Sequence, residues 1–229
     1  MNDEKSVQSY FKKDCERKSD FYSTDEKIFY HFICKRHMWK IYKKSINQIY
    51  THIDKTTSIL DAGCGIGHFL FELNKIEDLN RIIGLDFLRE PLVIAKKNSR
   101  FFNKASFFEC DFQSLCFKNK SIDIIYCLNT LHHLSKDKLK KTLLEFSRVC
   151  SKLLVLEIRN KDFLFNSFFN SILLSSKYRI LPQYYTSINW IENFFRKQGF
   201  LLKHTMGKFS YNCFCRRIVL IFEKDVRII

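Results

Sequence analysis

The chain has few of the residues that break regular structure: two prolines and six glycines among 229 positions. Its first 57 positions contain neither, which favours helix there, because Pro and Gly are the usual interrupters. No run approaches the roughly 20 apolar residues needed to span a bilayer. The opening Met1-Asn2-Asp3-Glu4-Lys5 lacks the apolar core of a signal peptide. Internal repeats and low-complexity tracts are absent, as is any block of five like charges. The nine cysteines are an odd number without a Cys-x-x-Cys pair. Cys34-x-x-His37, with His31 nearby, places two or three ligands on one helical face. A zinc site needs a larger set in a defined geometry, so no metal is expected. Together these absences point to a reduced, cytoplasmic compartment.

What remains is globular: 46% hydrophobic and 28% charged residues, enough for one domain with a full core. The formal charge of +15 has two readings. One is attraction to nucleic acid, anionic lipid or an acidic substrate. The other is compositional bias in a chain rich in Lys, Asn, Ile, Phe and Tyr, and the scatter of the lysines favours it.

Residues 1–57 form a helical N-terminal region, in which Ser23-Thr24-Asp25-Glu26 has the pattern of a capping box. Apolar residues recur there at helical spacing, for example Tyr42, Ile46, Ile49 and Tyr50. From residue 58 strands alternate with helices. The strands are 58–61, 81–86, 106–110, 122–128 and 153–158, and Pro91 fits the first turn of the helix after the second. Ser135 is placed to cap a helix with Leu139, Leu143, Phe146 and Cys150 inward and Lys136, Lys140 and Lys141 outward. A helix over 190–198 stopped by Gly199, then strands 200–205 and 217–223, close the pattern. Two strands joined without a helix pair antiparallel. The expected fold is therefore α/β: a doubly wound, mostly parallel seven-stranded sheet with an antiparallel C-terminal hairpin. The core spans 58–229 and carries an insertion at 160–189.

Doubly wound sheets bind ligands at the carboxyl ends of their strands. Three of the six glycines fall there, in Asp61-Ala62-Gly63-Cys64-Gly65-Ile66-Gly67, where a backbone turn can approach a ligand closely. The helix that follows offers free amides to a carboxylate. Asp86 ends the second strand, nineteen residues after Gly67, and an acid there can accept both ribose hydroxyls. Asp111 follows the third strand, where a carboxylate can take the amino group of adenine. Phe112 can give a backbone amide to an adenine nitrogen, and Phe87 can cover a ring face. A dinucleotide loop runs G-x-G-x-x-G. Here the spacing is G-x-G-x-G behind Asp61, whose charge would repel a pyrophosphate but suits a ligand with an ammonium and a sulfonium.

These segments resemble the motifs of the class I, Rossmann-like S-adenosylmethionine-dependent methyltransferases. The glycine turn looks like their first motif. Gly84-Leu85-Asp86, Glu109-Cys110-Asp111-Phe112 and Ile122 to Asn129 look like those that follow. The likeness runs from Ser58 to Glu223, hairpin included. It implies S-adenosyl-L-methionine as cofactor, with Asp61, Ala62, Gly63, Gly65 and Gly67 around its methionine part. Asp86 would hold the ribose, Asp111 and Phe112 the adenine, with Phe87 over a ring face, and Asn129 would lie near the transferred methyl.

Methyl transfer is an in-line displacement governed by positioning, helped by a general base where the acceptor carries a proton. Leu131-His132-His133-Leu134 resembles the matching loop of small-molecule methyltransferases, including those of quinone biosynthesis. His133 is the preferred base, packing being its other reading. Acceptor choice falls to 1–57 and 160–189. In 163–174, Phe165, Phe168, Phe169, Ile172 and Leu173 share a helical stripe, read as core packing, as a lid over an apolar acceptor, or as a membrane-surface contact. The expected acceptor is a small molecule with an apolar or aromatic part, methylated at O or N. An RNA acceptor is disfavoured, because Asn129-Thr130-Leu131-His132 lacks the Asn-Pro-Pro-Tyr loop and no basic stripe is interleaved with aromatics. A protein acceptor and a non-catalytic binding subunit complete the alternatives.

Overall fold

The computed structural model describes residues 36–79, 81–97, 104–164, 184–207, 212–225 and 227. The capping box at Ser23, the Cys34-x-x-His37 spacing and the Phe165–Leu173 stripe lie outside the described residues or their described side chains. In chain order the elements are α1 (Arg36–Ile49), β1 (Ser58–Ala62), α2 (His68–Leu73), β2 (Arg81–Asp86), α3 (Arg89–Lys97) and β3 (Ala105–Glu109). There follow β4 (Ile122–Cys127), α4 (Lys136–Val149), β5 (Cys150–Arg159), α5 (Ile188–Lys197), β6 (Phe200–Met206) and β7 (Arg217–Lys224). The sheet has seven strands in the order β3-β2-β1-β4-β5-β7-β6. β1 to β5 are parallel, and β7 runs antiparallel to both β5 and β6. The doubly wound sheet expected from the sequence is thus present. One refinement concerns the hairpin, whose later strand inserts next to β5 and leaves β6 at the edge.

Strand periodicity explains the two-faced core. Leu60, Ile83, Ile125 and Leu154 face α4 and α5, where Leu143, Phe146, Ile191 and Phe195 are buried. Their neighbours Ile59, Ile82, Ile124 and Leu153 face the other way, onto α1 and α2. Helix α1 seats Met38, Ile41, Tyr42, Ile46 and Ile49 on that face, a helical stripe packed directly against the sheet. Asp123, the acidic residue of the apolar fourth strand, lies at its start. Its carboxylate accepts bonds from the Ser58 amide and hydroxyl, both at 2.9 Å, and so joins β4 to β1 at the end opposite the glycine turn.

Two local expectations need correction. Ser135 occupies the N-cap position of α4, but its hydroxyl makes no capping hydrogen bond. The helix starts instead from its carbonyl, which accepts the Leu139 amide at 2.8 Å. Cys150 is buried as expected, but as the first residue of β5 rather than the last of the helix, because α4 passes into the strand without a loop. No helix among the described residues is long and apolar enough to cross a membrane.

Candidate functional site

The register of the parallel strands brings their carboxyl ends to one edge. Asp61 pairs with Gly84, Ala62 with Leu85, and Asp61 with Tyr126 on the other side. The glycine turn hangs from β2: the amides of Gly63 and Cys64 both donate to the Leu85 carbonyl, at 2.7 and 3.0 Å. Gly63 has φ +84° and Gly65 φ +55°, the left-handed region that glycine enters without strain. They differ in surroundings. A side chain at Gly63 would strike Thr130, whose Oγ1 lies 2.3 Å from the Cβ position, whereas Gly65 has nothing within 4 Å. The turn therefore abuts the loop after β4 at Gly63 and faces open space at Gly65. Gly67 precedes α2, which begins at His68.

Two carboxylates lie at this edge. Asp86 Oδ2 accepts the Gly65 amide at 3.0 Å, and its Oδ1 the Leu88 amide at 3.0 Å. Asp61 is 3% exposed and its Oδ2 has no hydrogen-bond partner. Burial, and then the charge of Asp86, push the Asp61 carboxyl up to about 8. Burial raises Asp86 to about 6 against the pull of its backbone amides. A buried, unsatisfied carboxylate costs free energy unless a donor or cation meets it, so this pair suits a ligand that is cationic or rich in hydroxyls.

Past β3, Asp111 is exposed and accepts the Gln113 amide at 2.9 Å, with the Gln113 side chain on both its oxygens. Phe112 is buried between Phe87 and Phe146, edge-on to each at 6.4 and 6.5 Å. Phe87 is partly buried on the same cluster. Past β4, Asn129 turns with φ +55°. A one-turn 3-10 helix over Leu131–His133 carries both histidines, whose rings lie 4.0 Å apart. His132 is buried and His133 half-buried.

The sequence reading missed a third group, centred on Glu157 of β5. Its side chain is fully buried and takes hydrogen bonds from the Tyr42 hydroxyl, the Asn129 amide (3.0 Å) and Arg217 (Nε 2.6 Å, Nη2 2.8 Å). Arg217 Nη2 also donates to Asn129 Oδ1 at 2.9 Å. Burial alone would raise the Glu157 carboxyl, but Arg217, joined by Arg159 and the Tyr42 hydroxyl, outweighs it and the net shift is downward. Burial, followed by Glu157, holds the Tyr42 phenol protonated. A signal was available: Glu157 interrupts the apolar strand Leu153–Ile158 close to its carboxyl end, as Asp61 and Asp86 do on β1 and β2. Its partners Tyr42 and Arg217, 115 and 60 residues away, carried no such mark.

Residues 59–152 match the model of a methyltransferase domain family. The chain is 31% identical over 91 residues to the protein-lysine N-methyltransferase EFM4 of Saccharomyces cerevisiae, covering 38% of this chain and 40% of that protein. It thus spans less than half the length of this curated relative. Among solved structures, the magnesium protoporphyrin IX methyltransferase (ChlM) of Synechocystis PCC 6803 with bound SAH superposes with TM-score 0.74 at 17% identity, over 97% of this chain and 100% of that one. The small RNA methyltransferase HEN1 superposes with TM-score 0.62 at 20% identity, over 80% of this chain and 25% of that one. At these identities the structural likenesses carry the fold, and the three relatives act on three different kinds of acceptor.

Proposed function

We propose that this chain, a Rossmann-like (class I) S-adenosylmethionine-dependent methyltransferase, transfers the methyl group to an O or N atom of a small, partly apolar or aromatic acceptor. The observation that carries the cofactor assignment is the carboxylate pair at the glycine turn. Asp61 is buried with an unpaired oxygen, and Asp86 is poised beside it. A ligand with an ammonium, a sulfonium and two vicinal hydroxyls meets both needs, and an anionic pyrophosphate meets neither. In this reading Asp61, Ala62, Gly63, Gly65 and Gly67 hold the methionine part, Asp86 the ribose, and Asp111 with Phe112 the adenine, with Phe87 over a ring face. Open space at Gly65 lets backbone approach the ligand. The cofactor supplies an activated methyl, and the chain's contribution is alignment of acceptor and methyl along one line.

On the acceptor side, Asn129 is braced through its amide by Glu157 and through its side chain by Arg217, which supports its place near the transferred methyl. His133 is the general base of this proposal, on a short helix whose own backbone bond to Thr130 (3.0 Å) ties it to the wall of the glycine turn. His133→Gln is expected to lower turnover by about 10²–10⁴-fold with cofactor affinity unchanged; equal turnover would remove it from the mechanism.

The kinship with a protein-lysine methyltransferase favours a lysine acceptor as second reading. Against it, Arg217 and Arg159 share the Glu157 carboxylate at the carboxyl end of β5, and the charge of Arg216 also acts on Arg159, a field that opposes an approaching ammonium. The compartment of this proposal is the cytoplasm. Contact of 163–174 with a membrane surface is a separate proposal, for which exposed Leu164 beside buried Phe163 is the described part. The deciding experiment is calorimetry with S-adenosylmethionine and with NAD, followed by labelled-methyl transfer to small acids, amines, phenols, lysine peptides and RNA. NAD binding without S-adenosylmethionine binding would end the proposal. Transfer to peptide or RNA alone would move the acceptor.

A further inference from the structure

The charges around Glu157 do not balance. Arg217 takes both of its oxygens, at 2.6 and 2.8 Å, which leaves Arg159 with a 3.9 Å contact to the same carboxylate. That is its only ion pair among the described residues. Arg159 Nε is buried without a hydrogen-bond partner, and Nη2 has one long contact, 3.4 Å to His132 Nε2. A guanidinium only donates, so this contact requires His132 to be neutral with its proton on Nδ1. The register sets Arg217 directly opposite Arg159 across β5 and β7, where like charges repel. Burial, and then Arg217, draw Arg159 down to about 10. An arginine so placed, 11% exposed, weakens the fold and needs a reason to be there.

Its position supplies one. Arg159 ends β5 at the same sheet edge as Asp61 and Asp86. It is linked through Glu157 to the Asn129 amide and through His132 to the loop that carries His133. The edge is thus polarised, with two carboxylates at the glycine turn and surplus positive charge beyond Asn129. We infer that Arg159 is the anion-recognition residue of the acceptor subsite, and that the acceptor carries a carboxylate. A planar carboxylate meeting the remaining edge of the guanidinium supplies the acceptors it lacks and offsets the surplus positive charge there. This deepens the proposed methyl-transfer function and rests on it for the location of the acceptor.

The test titrates the full chain, with S-adenosylhomocysteine present, with benzoate, phenylacetate and hexanoate and with their primary amides. Binding is followed by calorimetry at low and high salt. The acids are expected to bind about tenfold or more tighter than the amides, with a preference that shrinks as salt rises. Arg159→Gln should lose that preference while keeping S-adenosylhomocysteine affinity and a urea midpoint equal to or above wild type. Arg159→Lys, which keeps the charge without the fork, should retain a weaker preference. Equal binding of acids and amides, no binding of either, or a preference that survives in Arg159→Gln overturns the inference. So does Arg159-dependent binding of single-stranded RNA or a lysine peptide in place of the acids. Failure of S-adenosylhomocysteine to bind strikes the methyl-transfer reading, and the acid-versus-amide comparison without it still decides whether Arg159 recognises a carboxylate.

Discussion

Replacing Asp61 with Asn tests whether a cation is received by a buried carboxylate at the glycine turn. Without ligand Asp61 sits at about 8, through burial first and Asp86 second, and Asp86 at about 6 through burial. At pH 7 Asp61 then holds a proton in about nine molecules of ten, and Asp86 in about one of ten. A ligand that sets an ammonium or sulfonium against the pair needs both ionised, so its binding expels about one proton at pH 7, nearly all from Asp61. The release should approach zero above about pH 9 and two near pH 5. Calorimetry with S-adenosylmethionine in buffers of different ionisation enthalpy reads this number as a slope. Wild type should give about one proton and Asp61→Asn about zero. A flat wild-type response, or the same slope in both proteins, would refute the reasoning.

The same substitution has a stability signature. The folded value of Asp61 lies above its ordinary 3.8, so its contribution is fully present below about pH 4 and is lost as the pH rises through about 8. At about 1.4 kcal/mol per unit, the span is on the order of 5 kcal/mol. Unliganded Asp61→Asn should therefore resist urea better than wild type at pH 8, by up to that amount, while binding the cofactor far more weakly.

Two further outcomes follow from contacts. Gly63→Ala combines a left-handed φ with a clash against Thr130 and should cost about 2–5 kcal/mol in urea unfolding, against about 1 kcal/mol for Gly65→Ala, where space is open. Adding Thr130→Ala should recover the clash part only, and a Gly63→Ala loss no larger than that of Gly65→Ala would contradict the geometry. Arg217→Met strands a buried carboxylate and should cost about 3–5 kcal/mol at pH 7, whereas Arg217→Met with Glu157→Gln should cost markedly less. Because Glu157 is held below its ordinary value, its share of stability is present above the usual glutamate range and is lost as the pH falls through the folded value, so the Arg217→Met deficit in urea melts should narrow in acid.

The alternation of strands and helices and the polar strand ends were legible because they depend on local pattern. Asp61 and Asp86 each stop an apolar run, Asp111 follows the third strand, and three glycines within five residues mark one turn. The Tyr42–Glu157–Arg217 group was not legible, because it joins the face of α1 to the starts and ends of strands far apart in the chain. Tyr42 has the spacing of an ordinary core residue, and only packing of α1 over β5 and β7 turns its hydroxyl onto Glu157. Asp111 was legible as a position but not as a geometry: its hold on Gln113 arises from the turn after β3, which leaves no mark in the spacing. Arg159 lies one residue beyond the run that marked β5, and its charge gains meaning only once Arg217 is known to stand opposite.

The insertion of β7 between β5 and β6 bears on how the chain is made. During synthesis β5 leaves the ribosome with one edge unpaired and with Glu157 still without Arg217, and β6, the next strand out, does not pair with it in the finished order. About 65 residues separate the end of β5 from the end of β7, roughly 3–13 s of translation at 5–20 residues per second. In that interval the half of the sheet holding Asp61 and Asp86 can form, while the group around Glu157 waits for Arg217. A chain interrupted before residue 217 would present an open strand edge, the kind of surface that chaperones and proteases engage.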